Sequence, residues 1–119
     1  MDVAEAGAWP GAQPVPLTFY WQPVAEPEAD YTVFVHLRRQ DNGKIVAQVD
    51  GLPAGGRYPT SLWESGEIIK DEVTLPPISL EPGSYELVVG MYDFMSGQRL
   101  PVPGSPEGVI LLHAFEVKE

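Results

Sequence analysis

The chain has 119 residues, which is enough for one domain that folds without disulfides or bound metals. Its net charge is −10, from 17 acidic and 7 basic side chains. This balance argues against nucleic acid and anionic membrane surfaces as partners, because both are bound through lysine and arginine. The absence of cysteine excludes disulfides, thiol catalysis and cysteine-bound metals.

The first 14 residues carry no clear apolar pattern, so we expect a flexible segment at 1–14 and a single domain at 15–119. The start of the chain lacks the basic region and apolar core of a signal peptide. No run reaches the roughly 18 apolar residues of a membrane helix, so we expect no membrane insertion by this segment. These features are typical of a soluble domain excised from a larger protein.

Seven short strands are predicted in chain order, with glycine and proline almost wholly between them. In the first strand, alternation places Leu17, Phe19 and Trp21 on one face. Asn42-Gly43 is expected to supply the positive φ of a hairpin turn after the second strand. The pattern predicts an all-β antiparallel sandwich of the immunoglobulin-like or fibronectin type. The predicted strands are Val15–Gln22, Tyr31–Arg39, Lys44–Asp50, Glu67–Leu75, Ser84–Asp93, Gln98–Val102 and Val109–Val117.

The stretch LEPGSYELVV places a leucine, a Pro-Gly turn and Tyr85 at the start of a strand. In a tyrosine corner, such a hydroxyl bonds back to the backbone between two sheets. Tyr85 is therefore the candidate for that structural role, and simple packing at a strand end is the alternative. Trp21 is predicted to be a core residue, because it shares a face with Leu17 and Phe19.

Some apolar residues fall outside the alternating pattern that a two-layer sandwich requires. They are Phe34, Val88, Leu111 and Phe115. Such residues can cover sheet edges, pack under a long connection, or face the rest of a larger protein. The sequence leaves these alternatives open.

The sequence offers little for catalysis or metal binding. His36 and His113 each lie alone in an apolar strand, and no HxH or HExxH pattern is present. Asp71 and Glu72 should point to opposite faces of their strand, so they cannot share a substrate. The segments 41–43 and 93–97, which run from an aspartate to a glycine, are explained by turn chemistry rather than by calcium. We therefore expect no enzyme activity, no metal and no cofactor.

The connection GLPAGGRYPTSLWESG between the third and fourth strands carries Arg57, Tyr58 and Trp63. Two interpretations are open. Tyr58 and Trp63 could stack on a sugar while Arg57 and Asp50 bind its hydroxyl groups. Alternatively, the aromatic side chains fold inward and anchor a long loop on the sheet.

Several motifs between residues 15 and 117 form a recognisable series. They are FVHL with a following turn and VAQVD, then GGRYPTSLW with GEIIKD, then PGSYELVVGMYD and SGQRLPV. In this series the chain resembles the C-terminal domain of large bacterial multi-pass membrane proteins similar to dolichyl-phosphate-mannose-type glycosyltransferases. The positions that match the family pattern are His36, Asp50, Tyr58, Pro59, Trp63, Asp71, Tyr85 and Asp93.

The resemblance implies an immunoglobulin-like sandwich outside the membrane, with no catalytic residues to carry over. We accordingly expect a non-catalytic, extracytoplasmic accessory module of a glycosyltransferase-like membrane protein, with a glycan or the parent's other domains as partner. The alternative is a structural or protein-interaction domain without a small-molecule ligand.

Overall fold

The structure, a computed structural model, describes residues 13–118. Nearly all of the predicted flexible segment 1–14 therefore lies outside the described residues. Within 13–118 there are six strands and two short 3-10 turns. The strands are β1 (Val15–Trp21), β2 (Tyr31–Arg39), β3 (Ile45–Gly51), β4 (Ile69–Leu75), β5 (Gly83–Asp93) and β6 (Ile110–Val117).

The strands form two antiparallel sheets that pack as a sandwich, which confirms the predicted fold class. One sheet has the order β3-β2-β5-β6, and the other contains β1 and β4. The turn between β2 and β3 closes at Gly43, whose φ is 72°. That angle suits glycine because it has no Cβ.

The main core lies between the two sheets and is built from the alternating side chains of the strands. Cross-strand neighbours in β2 and β5 share this inner face, as in the pair Val35 and Val89. Trp63 from the long connection also belongs to this core. Its other buried members include Val15, Leu17, Phe19, Val33, Leu37, Ile69, Leu75, Tyr85, Leu87, Met91 and Phe115.

The prediction of a seventh strand at Gln98–Val102 is wrong. This segment folds back on the end of β5, where Arg99 makes an isolated bridge with Tyr92 and the amide of Leu100 donates to Met91. Pro101 follows directly and has no N–H to donate, so the ladder cannot continue. The fourth strand likewise begins at Ile69 rather than at Glu67.

Two of the off-pattern residues form a second, smaller core on the outer face of the larger sheet. Phe34 and Val88 pack there with Val109, under the connection between β5 and β6. The guanidinium of Arg99 lies 4.5 Å from the centre of the Phe34 ring and closes this cluster from outside. Of the alternatives left open, packing under a long connection is the one that the structure shows for Phe34 and Val88.

The other two off-pattern residues are separated by an irregularity in β6. The register against β5 shifts after Leu87, so that Leu87 is opposite His113 while Val88 is opposite Leu111. A bulge of this kind changes which face later residues occupy. Phe115 is consequently buried in the main core, whereas Leu111 is exposed.

Tyr85 links the start of β5 to the turn before it. Its hydroxyl donates to the carbonyl of Glu81 at 2.6 Å and accepts a hydrogen bond from Arg39 at 3.0 Å. The ring is buried and lies 5.8 Å from that of Phe115, nearly parallel to it. This is the backbone contact that a tyrosine corner requires.

Candidate functional site

The long connection between β3 and β4 has structure of its own. It contains the 3-10 turns Pro53–Gly56 and Thr60–Leu62. The buried hydroxyl of Thr60 donates to the carbonyl of Ala29 at 2.6 Å and accepts from the amide of Tyr31 at 2.9 Å. These two bonds hold the connection against the β1–β2 loop.

Trp63 folds inward from this connection. Only 3% of the residue is exposed, and its indole N–H donates to the carbonyl of Tyr58 at 2.8 Å. The contact joins residues five positions apart and satisfies the one polar atom of the side chain. Trp63 is therefore placed as an anchor of the connection, which was the second interpretation of this segment.

Tyr58 is half-buried and its hydroxyl lies 2.7 Å from a carboxylate oxygen of Glu67. The carbonyl of Leu62 is at 3.1 Å, but the charged acceptor forms the stronger bond with the single hydroxyl hydrogen. The hydrogen bond to Glu67 is the main reason why the pKa of Tyr58 rises to about 12. The same bond lowers the pKa of Glu67.

This pair gives a prediction about titration. Tyr58→Phe should raise the pKa of Glu67 toward 4.5, and Glu67→Gln should bring the pKa of Tyr58 back toward 10.0, because each group loses its main partner. Folding lowers the pKa of Glu67, so this carboxylate stabilises the fold above pH 4.5 and the benefit is lost as pH falls through the lowered value. The stability difference between wild type and Tyr58→Phe should therefore shrink in acid.

NMR titration of the Glu67 carboxylate and of the Tyr58 ring measures both shifts. Glu64→Gln is the matched control, because this neighbouring carboxylate accepts no hydrogen bond from the Tyr58 hydroxyl and is the weakest of the causes that raise the pKa of Tyr58, so its loss should lower that pKa far less than Glu67→Gln does. Unchanged pKa values in both principal variants would contradict the hydrogen bond.

The four residues proposed from the sequence for sugar binding are not brought into one cavity. Asp50 lies on the larger sheet, where its carboxylate accepts from the Tyr92 hydroxyl at 3.1 Å. Arg57 is exposed at the end of the first 3-10 turn. Trp63 is buried and lines a different cavity from Asp50.

A buried carboxylate joins the smaller sheet to the connection. Asp71 is buried on β4, and one of its oxygens accepts from the indole N–H of Trp21 at 3.1 Å. Its other oxygen accepts from the amide of Ala54, also at 3.1 Å. Trp21, predicted from the sequence as a core residue, packs against the main core and is half-exposed. Glu72 points to solvent, opposite Asp71.

Trp21 and Trp63 meet in a cavity at one end of the sandwich, which we call the apolar cleft. Its volume is 420 Å³. It lies between the β1–β2 loop, the second 3-10 turn and the connection that follows β5. Its wall includes Trp21, Val24, Tyr31, Trp63, Met91 and Ile110.

The polar groups around the apolar cleft are already bonded within the protein. The indole N–H groups of Trp21 and Trp63 donate to Asp71 and to the Tyr58 carbonyl. The hydroxyl of Thr60 is paired on both sides. Few groups are left to bind the hydroxyls of a sugar, whereas Val24 is 96% exposed and Ile110 43%. The cleft therefore suits an apolar occupant.

Carboxylates are next in sequence to residues of the cleft wall, and the one cation in such a position within the described residues, Arg99 beside Leu100, lies over the Phe34 ring instead. Glu26, Glu28 and Glu64 are exposed, and each follows directly after a residue of the cleft wall. We call these three the acidic rim. No lysine or arginine occurs in residues 21–32 or 58–69. Within residues 13–118, no ion pair neutralises any of the three.

The two histidines lie neither in the long connection nor in the wall of the apolar cleft. His36 is half-buried on the outer face, 4.9 Å from the Phe34 ring, and burial lowers its pKa. His113 stacks on Phe115 at 5.6 Å. The described part of the chain contains no group of three histidine, aspartate or glutamate side chains that could hold a metal ion. Nor does it contain a helix with the length and apolar character needed to cross a membrane.

No protein-family model, no curated protein and no solved structure matches this chain.

Proposed function

We propose that this chain is a non-catalytic binding module that docks an apolar, positively charged polypeptide segment in the apolar cleft. The observation that supports this best is the chemistry of the cleft. Its wall is aromatic and aliphatic, and its polar groups are bonded internally. Exposed apolar surface of this kind is typical of interaction sites.

The acidic rim decides which segment is favoured. An uncompensated set of carboxylates around an apolar opening attracts lysine and arginine and repels acidic chains. The net charge of −10 acts in the same direction over longer distances. The occupant is therefore a segment that carries apolar side chains next to basic ones.

The motif series supports a proposal about the kind of parent protein in which this docking takes place. Residues 15–117 resemble an extracytoplasmic domain of glycosyltransferase-like membrane proteins, and in that setting the docked segment belongs to another domain of the parent. The module then holds another domain of the parent protein in position and takes no direct part in the reaction that the parent catalyses.

Glycan binding is a second candidate, and a different part of the surface favours it. A depression beside the cleft is lined by Asp30, Asp50, Tyr92, Asp93 and Phe94. Phe94 is 73% exposed, and the three aspartates of the lining carry carboxylates, a group that commonly accepts hydrogen bonds from sugar hydroxyls. This depression replaces the set of Asp50, Arg57, Tyr58 and Trp63 as the place where a sugar fits.

A titration with a short peptide that alternates leucine and lysine tests the docking function. We expect binding that perturbs the fluorescence of Trp21 and Trp63 and that weakens as salt rises from about 0.05 to 0.5 M. Peptides with glutamate for lysine, or with serine for leucine, should bind at least about tenfold more weakly. The double variant Glu26→Gln/Glu28→Gln should lose about threefold to tenfold in affinity, as expected for two rim charges.

Glu81→Gln/Glu116→Gln is the matched control, because these two carboxylates are exposed and lie near the start of β5, at the opposite end of that strand from Met91 in the cleft wall. Equal affinity for all three peptides would contradict the docking function. A glycan array on the same protein separates the candidates, since sugar binding that Phe94→Ala abolishes would favour the depression.

A further inference from the structure

The smaller sheet has an open edge. β1 pairs over its whole length with β4, from Val15 opposite Leu75 to Trp21 opposite Ile69. On its other side β1 pairs with no described strand, although the facing sheet has four strands. Such an edge presents a row of backbone donors and acceptors to which another chain can add.

This edge adjoins the apolar cleft. β4 lies against β3, so β1 is the strand nearer to β5 and β6. Its open edge is turned toward the side of the sandwich where Met91 of β5 and Ile110 of β6 line the cleft together with Trp21. A strand added to β1 would therefore run past the opening of the cleft.

The position of Pro16 indicates which residues of β1 direct their backbone N–H and C=O groups toward the open edge. Pro16 has no N–H, and proline within a strand is placed with its nitrogen toward solvent. Backbone groups alternate in direction along a strand, so Thr18 and Tyr20 direct their N–H and C=O groups to the same side as Pro16. The Tyr20 side chain is 67% exposed beside them.

We propose that the docked segment binds in extended conformation as a third strand on the outer edge of β1, antiparallel or parallel to it. This inference rests on the proposed function. Main-chain hydrogen bonds to Thr18 and Tyr20 hold the segment in register, as in other cases of strand addition. Alternate side chains then point toward the cleft and toward solvent, so an apolar-basic alternation places its apolar residues in the cleft.

One substitution tests the edge itself. Thr18→Pro removes an outward N–H, while the ladder to β4 uses the other residues of β1. We expect it to weaken the leucine-lysine peptide at least about tenfold. Thr18→Val is the matched control, because it keeps the N–H and favours a strand. It should change the affinity by less than about threefold. Thermal unfolding of both variants checks that they fold.

A second measurement works on the unaltered protein. A leucine-lysine peptide that is N-methylated at alternate residues keeps its charge and apolar side chains but cannot complete a ladder. The methyl groups can be placed on the odd-numbered or on the even-numbered residues of the peptide. With one of these two patterns, the peptide should bind at least about tenfold more weakly than the parent peptide. Hydrogen exchange at the amides of Thr18 and Tyr20 should slow when the unmodified peptide is added.

The outcomes separate the two proposals. Failure of every peptide to bind contradicts the proposed function and this inference with it. If the peptide binds and neither Thr18→Pro nor N-methylation changes its affinity, strand addition is contradicted and the proposed docking function is not. Amides of Thr18 and Tyr20 that already exchange slowly without peptide would show that this chain, or a second copy of it, occupies the edge, which also overturns the inference.

Discussion

Trp63→Ala should lower the free energy of unfolding by about 3–5 kcal/mol, the usual cost of truncating a buried large aromatic residue. The ring is 3% exposed within the main core, and its N–H satisfies the carbonyl of Tyr58. Removal leaves a hole that opens into the apolar cleft and an unpaired carbonyl. Urea denaturation measures the change, which is a large share of the 5–15 kcal/mol expected for a domain.

Two controls distinguish anchoring from ligand binding at this position. Trp63→Phe retains much of the apolar contact and should cost less than Trp63→Ala. Leu62→Ala removes an adjacent side chain that is 61% exposed, and it should change stability by less than about 0.5 kcal/mol. If Trp63→Ala left stability unchanged while it abolished binding, the ring would be a ligand contact and its anchoring role would be wrong.

The alternation of apolar residues predicts most of the sandwich. β2 runs over Tyr31–Arg39 as expected, because its β-branched and aromatic run both favours a strand and fixes which side chains point inward. The alternation within a segment does not predict whether a neighbouring strand is available to pair with that segment. Gln98–Val102 was predicted as a strand, yet Pro101 and the fold-back onto β5 leave only two isolated bridges, at Arg99 and at Val102.

The candidate site could be predicted only in part. Trp21 and Trp63 are visible in the sequence as large aromatic residues. They line the same cavity because the hydroxyl of Thr60 bonds the long connection to the β1–β2 loop. That contact joins residues 31 positions apart and has no periodic signal. Val24, between Pro23 and Pro27, gave no signal either, because a single apolar residue in a loop is normal and only the folded structure shows that it borders a cavity.

Asp50 illustrates the same limit. It was expected to bind a sugar together with Arg57, Tyr58 and Trp63, but β3 directs its carboxylate to Tyr92 on the larger sheet. The β-strand period fixes the face of a residue and does not fix which loop covers that face. The covering of Phe34 by the connection after β5 could not be read from the alternation for the same reason.

Phe34→Ala should cost about 3–5 kcal/mol, even though Phe34 lies outside the main core. The ring is 1% exposed and packs against Val88 and Val109. A Cβ at Gly90 would overlap the Phe34 ring, which shows how closely the ring approaches the backbone of β5. Without Phe34, the connection after β5 loses the apolar contacts that hold it on the sheet.

Phe94→Ala is the matched control, because it removes the same side chain from a position that is 73% exposed, and it should change stability by less than about 0.5 kcal/mol. Thermal unfolding compares the two variants, and hydrogen exchange at Val109 shows whether its amide, bonded to the Ser105 hydroxyl, becomes accessible. Equal stability of the two variants would mean that the outer cluster contributes nothing to the fold. A loss confined to Phe34→Ala shows that this part of the outer face of the larger sheet is a second core, so that its apolar side chains serve the fold and are not a docking surface.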